Sequence, residues 1–420
     1  MLFKDVLVDP KIKKQIINQI KNNRVGHAQL FQCKPGSHAF ALAVAMAQYM
    51  NCEHPSDEDS CGQCPSCIQF EKLIHPDLHL YFPDSTTKKV KEDNESALFI
   101  DDFRKFVFQN DYHIEILDWL IQLGGENKQA TINIRDCADI IRHNSTRSYS
   151  GGFKFYILWC IDRIYHAAAP KLLKTLEEPE NKSLFILISE NPEQILSTIR
   201  SRTQLVNIPA LTHEQITSAL HQKFPDIGEQ AARDIAVLAE GDYNKAIRIH
   251  EDDSDFKASL HTFDIILSSA LAFARQQPAE VVQYDSVMEE VGEIVAQGRE
   301  GQKDFISFSL RMLRNILLAS TSHPEMAKVT SSEATVIEKF KGKINLKQVS
   351  TLTEEFNKAQ FHISRNGNSS LIFTDLFFKM ADALRSNRKA VATPPFPVPT
   401  SASACAIAGP HPALTSQGPR

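Results

Sequence analysis

Residues 171–204 read KLLKTLEEPENKSLFILISENPEQILSTIRSRTQ, and the fold is decided here. Leu172, Leu173 and Leu176 fall at helical spacing, so the segment opens as a helix with an apolar face. Pro179 stops it, because proline has no N–H to donate and its ring collides with the preceding turn. Residues 184–188 (LFILI) form an unbroken apolar run of strand length. That is the pattern of a strand covered on both faces, as in a parallel sheet under helices. Asn191-Pro192 predicts an N-cap followed by proline at the first helical position. The second helix then runs into Arg200-Ser201-Arg202.

Upstream lies a loop with the wrong residues for its setting. Residues 11–21 predict a helix, residues 25–31 have strand character, and an alanine-rich helix begins at Ala39 after QCKPGSH (32–38). Strand, loop and helix in this order are the setting of a phosphate-binding loop, whose usual form is G-x-x-x-x-G-K-[ST]. On that frame Cys33 and His38 occupy the glycine positions, Ala39 the lysine and Phe40 the Mg²⁺-binding hydroxyl. Side chains at the glycine positions hinder backbone N–H groups from wrapping a phosphate. Alanine cannot neutralise the β- and γ-phosphates, and phenylalanine cannot ligate a metal. The scaffold is kept and its chemistry is gone. Residues 155–161 (FYILWCI) predict the next buried strand, and Asp162 after it reads as the cap of a following helix.

LLKTLEEP followed by a turn containing Ser-Arg closely resembles the clamp-loader branch of the AAA+ family, where the turn is usually Ser-Arg-Cys; Thr203 replaces the cysteine here. The resemblance implies an α/β plus all-α chain: an AAA+ P-loop-type parallel sheet with helices, a small helical lid and a helical collar. It implies that Arg202 reaches across a subunit boundary to a neighbour's nucleotide, with Ser201 fixing the turn and Arg200 a weaker candidate. An ATPase of that family ends the second buried strand with Asp-Glu, where this chain has Trp159 and Cys160. With both sites altered, the expectation is that the chain neither binds nor hydrolyses ATP. Residues 212–251 resemble the family's lid, with Lys245 in the slot of a second nucleotide-sensing arginine.

Cys52, Cys61, Cys64 and Cys67 give C-x8-C-x2-C-x2-C. Four thiolates so close can close a tetrahedral Zn²⁺ site, and Gly62 and Pro65 suit the tight turns between ligands. An iron–sulfur cluster is the other reading of C-x2-C-x2-C, but the fourth ligand and trailing proline of that motif are absent. A deaminase would need H-x-E upstream, and none precedes these cysteines. The metal is expected to be structural. Clamp-loader subunits of the resembling family carry a similar zinc module just after the first helix of the domain. His54 and His75 read as surface residues.

Composition sets limits on the rest. A chain of 420 residues with 42% hydrophobic content predicts two or three globular domains. A formal charge of −5 argues against a stand-alone nucleic-acid binder. The longest apolar run, residues 39–47, is too short to span a bilayer, so a cytoplasmic protein is expected, without membrane contact. The organisation reads as residues 1–209 for the AAA+ core, including the zinc module at 52–67. Residues 210–252 follow as the lid, 253–388 as a helical collar that packs into an oligomer, and 389–420 as a proline-rich disordered tail.

By the resemblance the chain is a non-catalytic stator of the bacterial DNA polymerase III clamp loader, an accessory subunit rather than an enzyme. Its partners would be gamma/tau-type ATPase subunits and a delta-type subunit in a ring of five. Through them it would reach the sliding clamp and primer-template DNA at the nucleoid-associated replisome. Two other readings stay open. An ATP-hydrolysing gamma/tau-type subunit needs the missing lysine and Asp-Glu. A zinc-dependent nucleic-acid-binding module outside replication would show salt-sensitive DNA binding.

Overall fold

A computed structural model describes residues 1–87, 90, 94–124, 130–179, 182–276, 284–321 and 327–385. Residues 389–420, expected to be a disordered tail, lie outside the described residues.

Five strands make one parallel sheet: β1 (Ala28–Gln32), β2 (Leu78–Tyr81), β3 (Lys154–Trp159), β4 (Ser183–Ser189) and β5 (Gln204–Asn207). Their order is β2-β3-β4-β1-β5. Every residue of β3 and β4 is buried, as expected for central strands sandwiched between helices. The helices of this part are α1 (Pro10–Lys21), α2 (Ala39–Met50), α3 (Pro65–Glu71), α4 (Ile100–Gln109), α5 (Ile116–Gln122), α6 (Ile134–Asn144), α7 (Ala169–Glu177) and α8 (Ser197–Arg200).

Alternation along the strands divides them between two cores. Phe31, Phe155, Ile157, Trp159, Ile186 and Ile188 pack with α1, α2 and α4. Leu30, Tyr156, Leu158, Phe185 and Leu187 pack with α6 and α7. Helix α2 is buried from Ala39 to Tyr49. Its alanines let it lie close to the sheet, and a helix apolar all round belongs inside.

Residues 191–202 differ from the continuous capped helix expected from the sequence. Pro192–Gln194 is a single 3-10 turn, Ile195 is extended at φ −74° and ψ 133°, and α8 is one turn long. Asn191 makes no side-chain cap; its own N–H donates to Ser189 Oγ at 3.1 Å. Ile195 and Ile199 are both drawn into the core against α7, and the extended residue between the two short turns achieves this.

Beyond the sheet, α9 (His213–Lys223), α10 (Glu229–Ala239) and α11 (Tyr243–Glu251) enclose a small core around Ile216, Leu220 and Ala236. Thr212 and Gln215 form a capping box at the start of α9. A larger all-helical core follows, from α12 (Ser254–Ala274) through Tyr284–Ala296, Gly298–Ala319, Ser331–Phe340 and Leu346–Ser364 to Ser369–Arg385. Arg311 joins the two, pairing with the buried Glu333 and reaching Glu240 at 3.6 Å. Among the described residues no helix is long and apolar enough to cross a membrane.

Candidate functional site

The loop between β1 and α2 is packed rather than open. His38 is buried, and its Nδ1 accepts the Leu7 N–H at 2.8 Å. That leaves the proton on Nε2, which donates to the Asp111 carbonyl at 3.0 Å. The ring stacks on His113, with centroids 3.8 Å apart and planes 11° from parallel. His113 Nδ1 donates to the Gly36 carbonyl at 3.4 Å, and its ring meets Tyr243 of α11 at 4.6 Å. Burial, reinforced by the charge of His113, holds His38 well below the usual imidazole range, and burial takes His113 down to about 4. Both rings are therefore neutral at pH 7.

Gly36 sits at φ +67°, and a Cβ there would meet Asp242 Oδ1 at 1.9 Å. Only glycine fits. Asp242 caps α11 by accepting the Lys245 N–H at 3.0 Å, so the start of α11 rests directly on the loop. Asn244 donates to the His113 carbonyl and to Glu115, at 2.9 and 2.8 Å, and Arg248 pairs with Glu115. Lys245 lies 3.8 Å from Glu240. Beside the stack is an open cleft of about 1020 Å³, bordered among others by Val8, Lys13, Lys223 and Tyr243.

The other altered positions are filled by apolar packing. Ala39 and Phe40 are buried, and Phe40 meets Phe103 of α4 edge-on at 5.7 Å. Trp159 packs on Phe103 and Phe106. Cys33 is buried and its thiol pushed up to about 12; Cys160 is likewise buried, in the left-handed region at φ 55°. Asp162 does not cap a helix as expected. It lies in the short turn Ile161–Arg163 and accepts from Ser189 Oγ at 2.6 Å, because β3 and β4 end side by side. Burial, with the negative charges of Glu115, Asp162 and Asp242, pushes Glu190 up to about 7. Glu115, Asp162, Glu190 and Asp242 thus act on one another beside the loop, with Arg163 and Arg248 partly offsetting them.

Arg202 stands at the other end of the sheet. Gln204 at the start of β5 aligns with Gln29, whereas the loop leaves β1 after Gln32, which aligns with Asn207. Three strand steps alone separate these ends by about 10 Å, so the arginine does not face its own chain's loop. Its guanidinium bonds Glu177 through Nε and Nη2, and Nη1 donates to the Thr198 carbonyl at 2.8 Å. Ser201 Oγ donates to the same carbonyl at 3.1 Å and lies 3.4 Å from Nη1. Arg200 is exposed at the end of α8. Glu177 and Thr198 were missed from the sequence as partners of Arg202, although Glu177 belongs to the LLKTLEEP motif.

The Sγ atoms of Cys52, Cys61, Cys64 and Cys67 all lie within 4.8 Å of one another, a group that can hold a metal ion. Cys61 and Cys67 Sγ are 3.9 Å apart, close to the roughly 3.8 Å expected across a tetrahedron of 2.3 Å Zn–S bonds. Backbone N–H groups point at the sulfurs: Cys61 at Cys52, Cys64 at Cys61, and Cys67 at Cys64, at 3.2 to 3.4 Å. The N–H groups of Gln63 and Cys64 lower the Cys61 thiol to about 6, whereas burial raises Cys52 and Cys67, so a metal would have to draw those two into the thiolate form. Gly62 takes φ +70° in the turn, and Pro65 opens α3 behind Cys64 as its N-cap. Four sulfurs with backbone N–H groups donating to them suit Zn²⁺. His54 is exposed, but His75 is buried, not a surface residue as expected, because it stacks on Phe70 at 4.2 Å.

A five-stranded parallel sheet in this order, with a loop-to-helix junction after β1 and the small helical unit α9–α11 beyond it, has the AAA+ P-loop architecture followed by a helical domain. Within that class the chain is similar to DNA polymerase III clamp-loader subunits. Residues 8–212 match the family described as DNA polymerase III, delta subunit. The DNA polymerase III subunit delta′ of Bacillus subtilis is 27% identical over 246 residues, 59% of this chain and 60% of that protein. The delta′ subunit of Escherichia coli is 27% identical over 46% of this chain and 45% of its own length. The tau subunit of Bacillus subtilis is 22% identical over 76% of this chain and 50% of that protein. The chain spans about half the length of the curated relatives it matches. A gamma subunit-related protein of Thermotoga maritima superposes with a TM-score of 0.37 at 12% identity, over 89% of this chain and 99% of that one.

Proposed function

We propose that this chain is a delta′-type, non-catalytic subunit of a DNA polymerase III clamp loader, and that it supplies Arg202 to ATP held by an adjacent subunit. The observation that carries the reading is the separation of the two ends of the sheet. The loop after β1 is taken up by His38, Phe40 and the lid, while Arg202 lies at the far end, beside the edge strand β5. Arginine stays protonated, and its planar fork can hold two phosphate oxygens, which suits a trans role. The expected sequence of events is loading of a sliding clamp onto primed DNA, driven by gamma/tau-type neighbours while this chain stays fixed.

In the same reading residues 1–209 are the AAA+ core, 210–252 the lid and 253–388 the collar. The four cysteines would hold one structural Zn²⁺, which closes the module and offers no open position for chemistry. Asp59 of that module accepts the N–H groups of Phe3 and Lys4 at 2.9 and 3.0 Å, so the metal would fasten the segment that leads to Leu7 and His38.

The test is co-purification with clamp-loader subunits, then ATPase of the complex with and without this chain, and titration of the purified chain with an ATP analogue. Expected are assembly, stimulated turnover only with the chain present, and no saturable binding of the analogue by the chain alone. Micromolar binding of the analogue would favour a gamma/tau-type subunit instead.

A further inference from the structure

The guanidinium of an arginine carries five N–H donors, and the way they are divided at Arg202 assigns a task to a second residue. Nε–H and one N–H of Nη2 go to Glu177, the last residue of α7, and one N–H of Nη1 goes to the Thr198 carbonyl. One N–H of Nη2 has no partner among the described residues, and the second N–H of Nη1 makes only a long bond to Ser201 Oγ at 3.4 Å. Two parallel N–H groups are what a phosphate group takes from an arginine. We propose that Glu177 is a positioning residue: it braces the guanidinium so that the outer N–H of Nη2, joined by the weakly held N–H of Nη1, is presented to the γ-phosphate of a neighbour's nucleoside triphosphate. The proposal rests on the trans-arginine reading above.

Three observations support a brace rather than a stability device. The pair is solvent-exposed, with side chains 32% and 45% accessible for Arg202 and Glu177, and exposed pairs contribute little to folding. Glu177 is fixed at the end of a helix whose Leu172, Thr175 and Leu176 are buried, so its carboxylate is held by a rigid element. Thr198 belongs to α8, anchored through the fully buried Ile199. A long, flexible side chain is thus tied at two points to packed helices before any partner arrives, and ordering it beforehand lowers the cost of the transition-state contact.

The experiment uses the reconstituted clamp loader with Glu177→Ala, Glu177→Gln and, as reference, Arg202→Ala, measuring assembly, melting temperature, and kcat and KM for ATP. With Glu177→Ala, assembly and melting temperature are expected to stay at wild-type values and KM for ATP to change little. Turnover at the adjoining site should fall on the order of tenfold. Glu177→Gln keeps an oxygen acceptor at the same reach and should recover most of the rate, which a purely structural role would not explain. If Arg202→Ala slows turnover while Glu177→Ala turns over at the wild-type rate, the brace is wrong and the trans arginine stands. If Glu177→Ala turns over faster than wild type, Glu177 is a latch that withholds the arginine, and the brace is again wrong. If Arg202→Ala itself leaves turnover unchanged, the failure belongs to the trans-arginine reading.

Discussion

The loop after β1 and the turn before β5 lie on adjacent parallel strands, at opposite ends, and they treat polar groups in opposite ways. Around the loop, His38 and His113 are buried, neutral and bonded to backbone within the chain, and Glu115, Asp162 and Asp242 act on Glu190 beside it. At the turn, a permanently charged guanidinium is kept near the surface with one N–H of Nη2 unpartnered among the described residues and one of Nη1 held only at 3.4 Å. In the proposed reading, burial removes one site from nucleotide chemistry and a short brace on packed helices prepares the other. On that proposal a P-loop scaffold is retained for its shape, as a rigid seat for α9–α11 and a turn, after its chemistry has been replaced.

The largest effect should come from the turn. In reconstituted complexes Arg202→Ala is expected to lower clamp- and DNA-stimulated ATPase at the one adjoining site by about a thousandfold, the lower end of the range for such arginines. Assembly should be unchanged. Arg202→Lys should recover little, since a point charge cannot reproduce the two-pronged geometry. A complex that assembles normally and turns over at the wild-type rate would remove one side of the comparison altogether.

The loop is tested by trying to restore it. Ala39→Lys with Phe40→Thr writes a lysine and a hydroxyl back into the P-loop frame, yet the double variant should still fail to bind an ATP analogue. His38, Asp242 and Glu190 remain in place, and loss of the Phe40 ring against Phe103 should cost about 3 kcal/mol or more in a denaturant melt. Saturable binding by the double variant would mean that two side chains, and not the packed surroundings, exclude nucleotide.

The sequence made one of these regions far more legible than the other. Strand β4 and the arginine turn follow from local pattern: an apolar run, a proline stop and a motif of adjacent residues. Identities at Cys33, His38, Ala39 and Phe40 told what the loop lacked, but not what fills it. His113, Glu190 and Asp242 come from three distant segments, and no spacing rule brings them together. The break between Pro192–Gln194 and α8 was hidden for a similar reason, since it depends on where Ile195 finds its core. His75 looked like a surface histidine because its partner Phe70 is on another element. The cysteine cluster was readable because its ligands are close in sequence, and close spacing of metal ligands is itself the signal.

That cluster gives a third, smaller effect. Cys64→Ser should lose about one equivalent of Zn²⁺ per chain and lower the melting temperature, with the stability loss a few kcal/mol. ATPase of whatever complex still assembles should be unchanged per complex. A preparation of equal stability without metal, or visible absorbance of an iron–sulfur cluster, would overturn the structural-zinc reading.

The smallest effect is the most direct probe of the loop's electrostatics. Glu190 is raised to about 7 by burial and by Glu115, Asp162 and Asp242, against about 4.3 in an unfolded chain. A raised folded value means that the folded state holds the proton more tightly. The contribution is fully present below the unfolded value and is lost as pH rises through about 7. Glu190→Gln removes the ionisable group, so the variant should be more stable than wild type at pH 8, by about 1–2 kcal/mol for a partly exposed site. At pH 5 most of that gain should disappear. His38 and His113 act with the opposite sign: their depressed values destabilise the fold as pH falls below about 6.5. Both proteins carry those histidines, so their contribution cancels in the difference between variant and wild type. Melting curves of the two at pH 5 and pH 8 therefore isolate the carboxyl. A gap of equal size at both pH values would show that Glu190 is not strained by its neighbours, and the mutual action of the carboxylates beside the loop would lose its support.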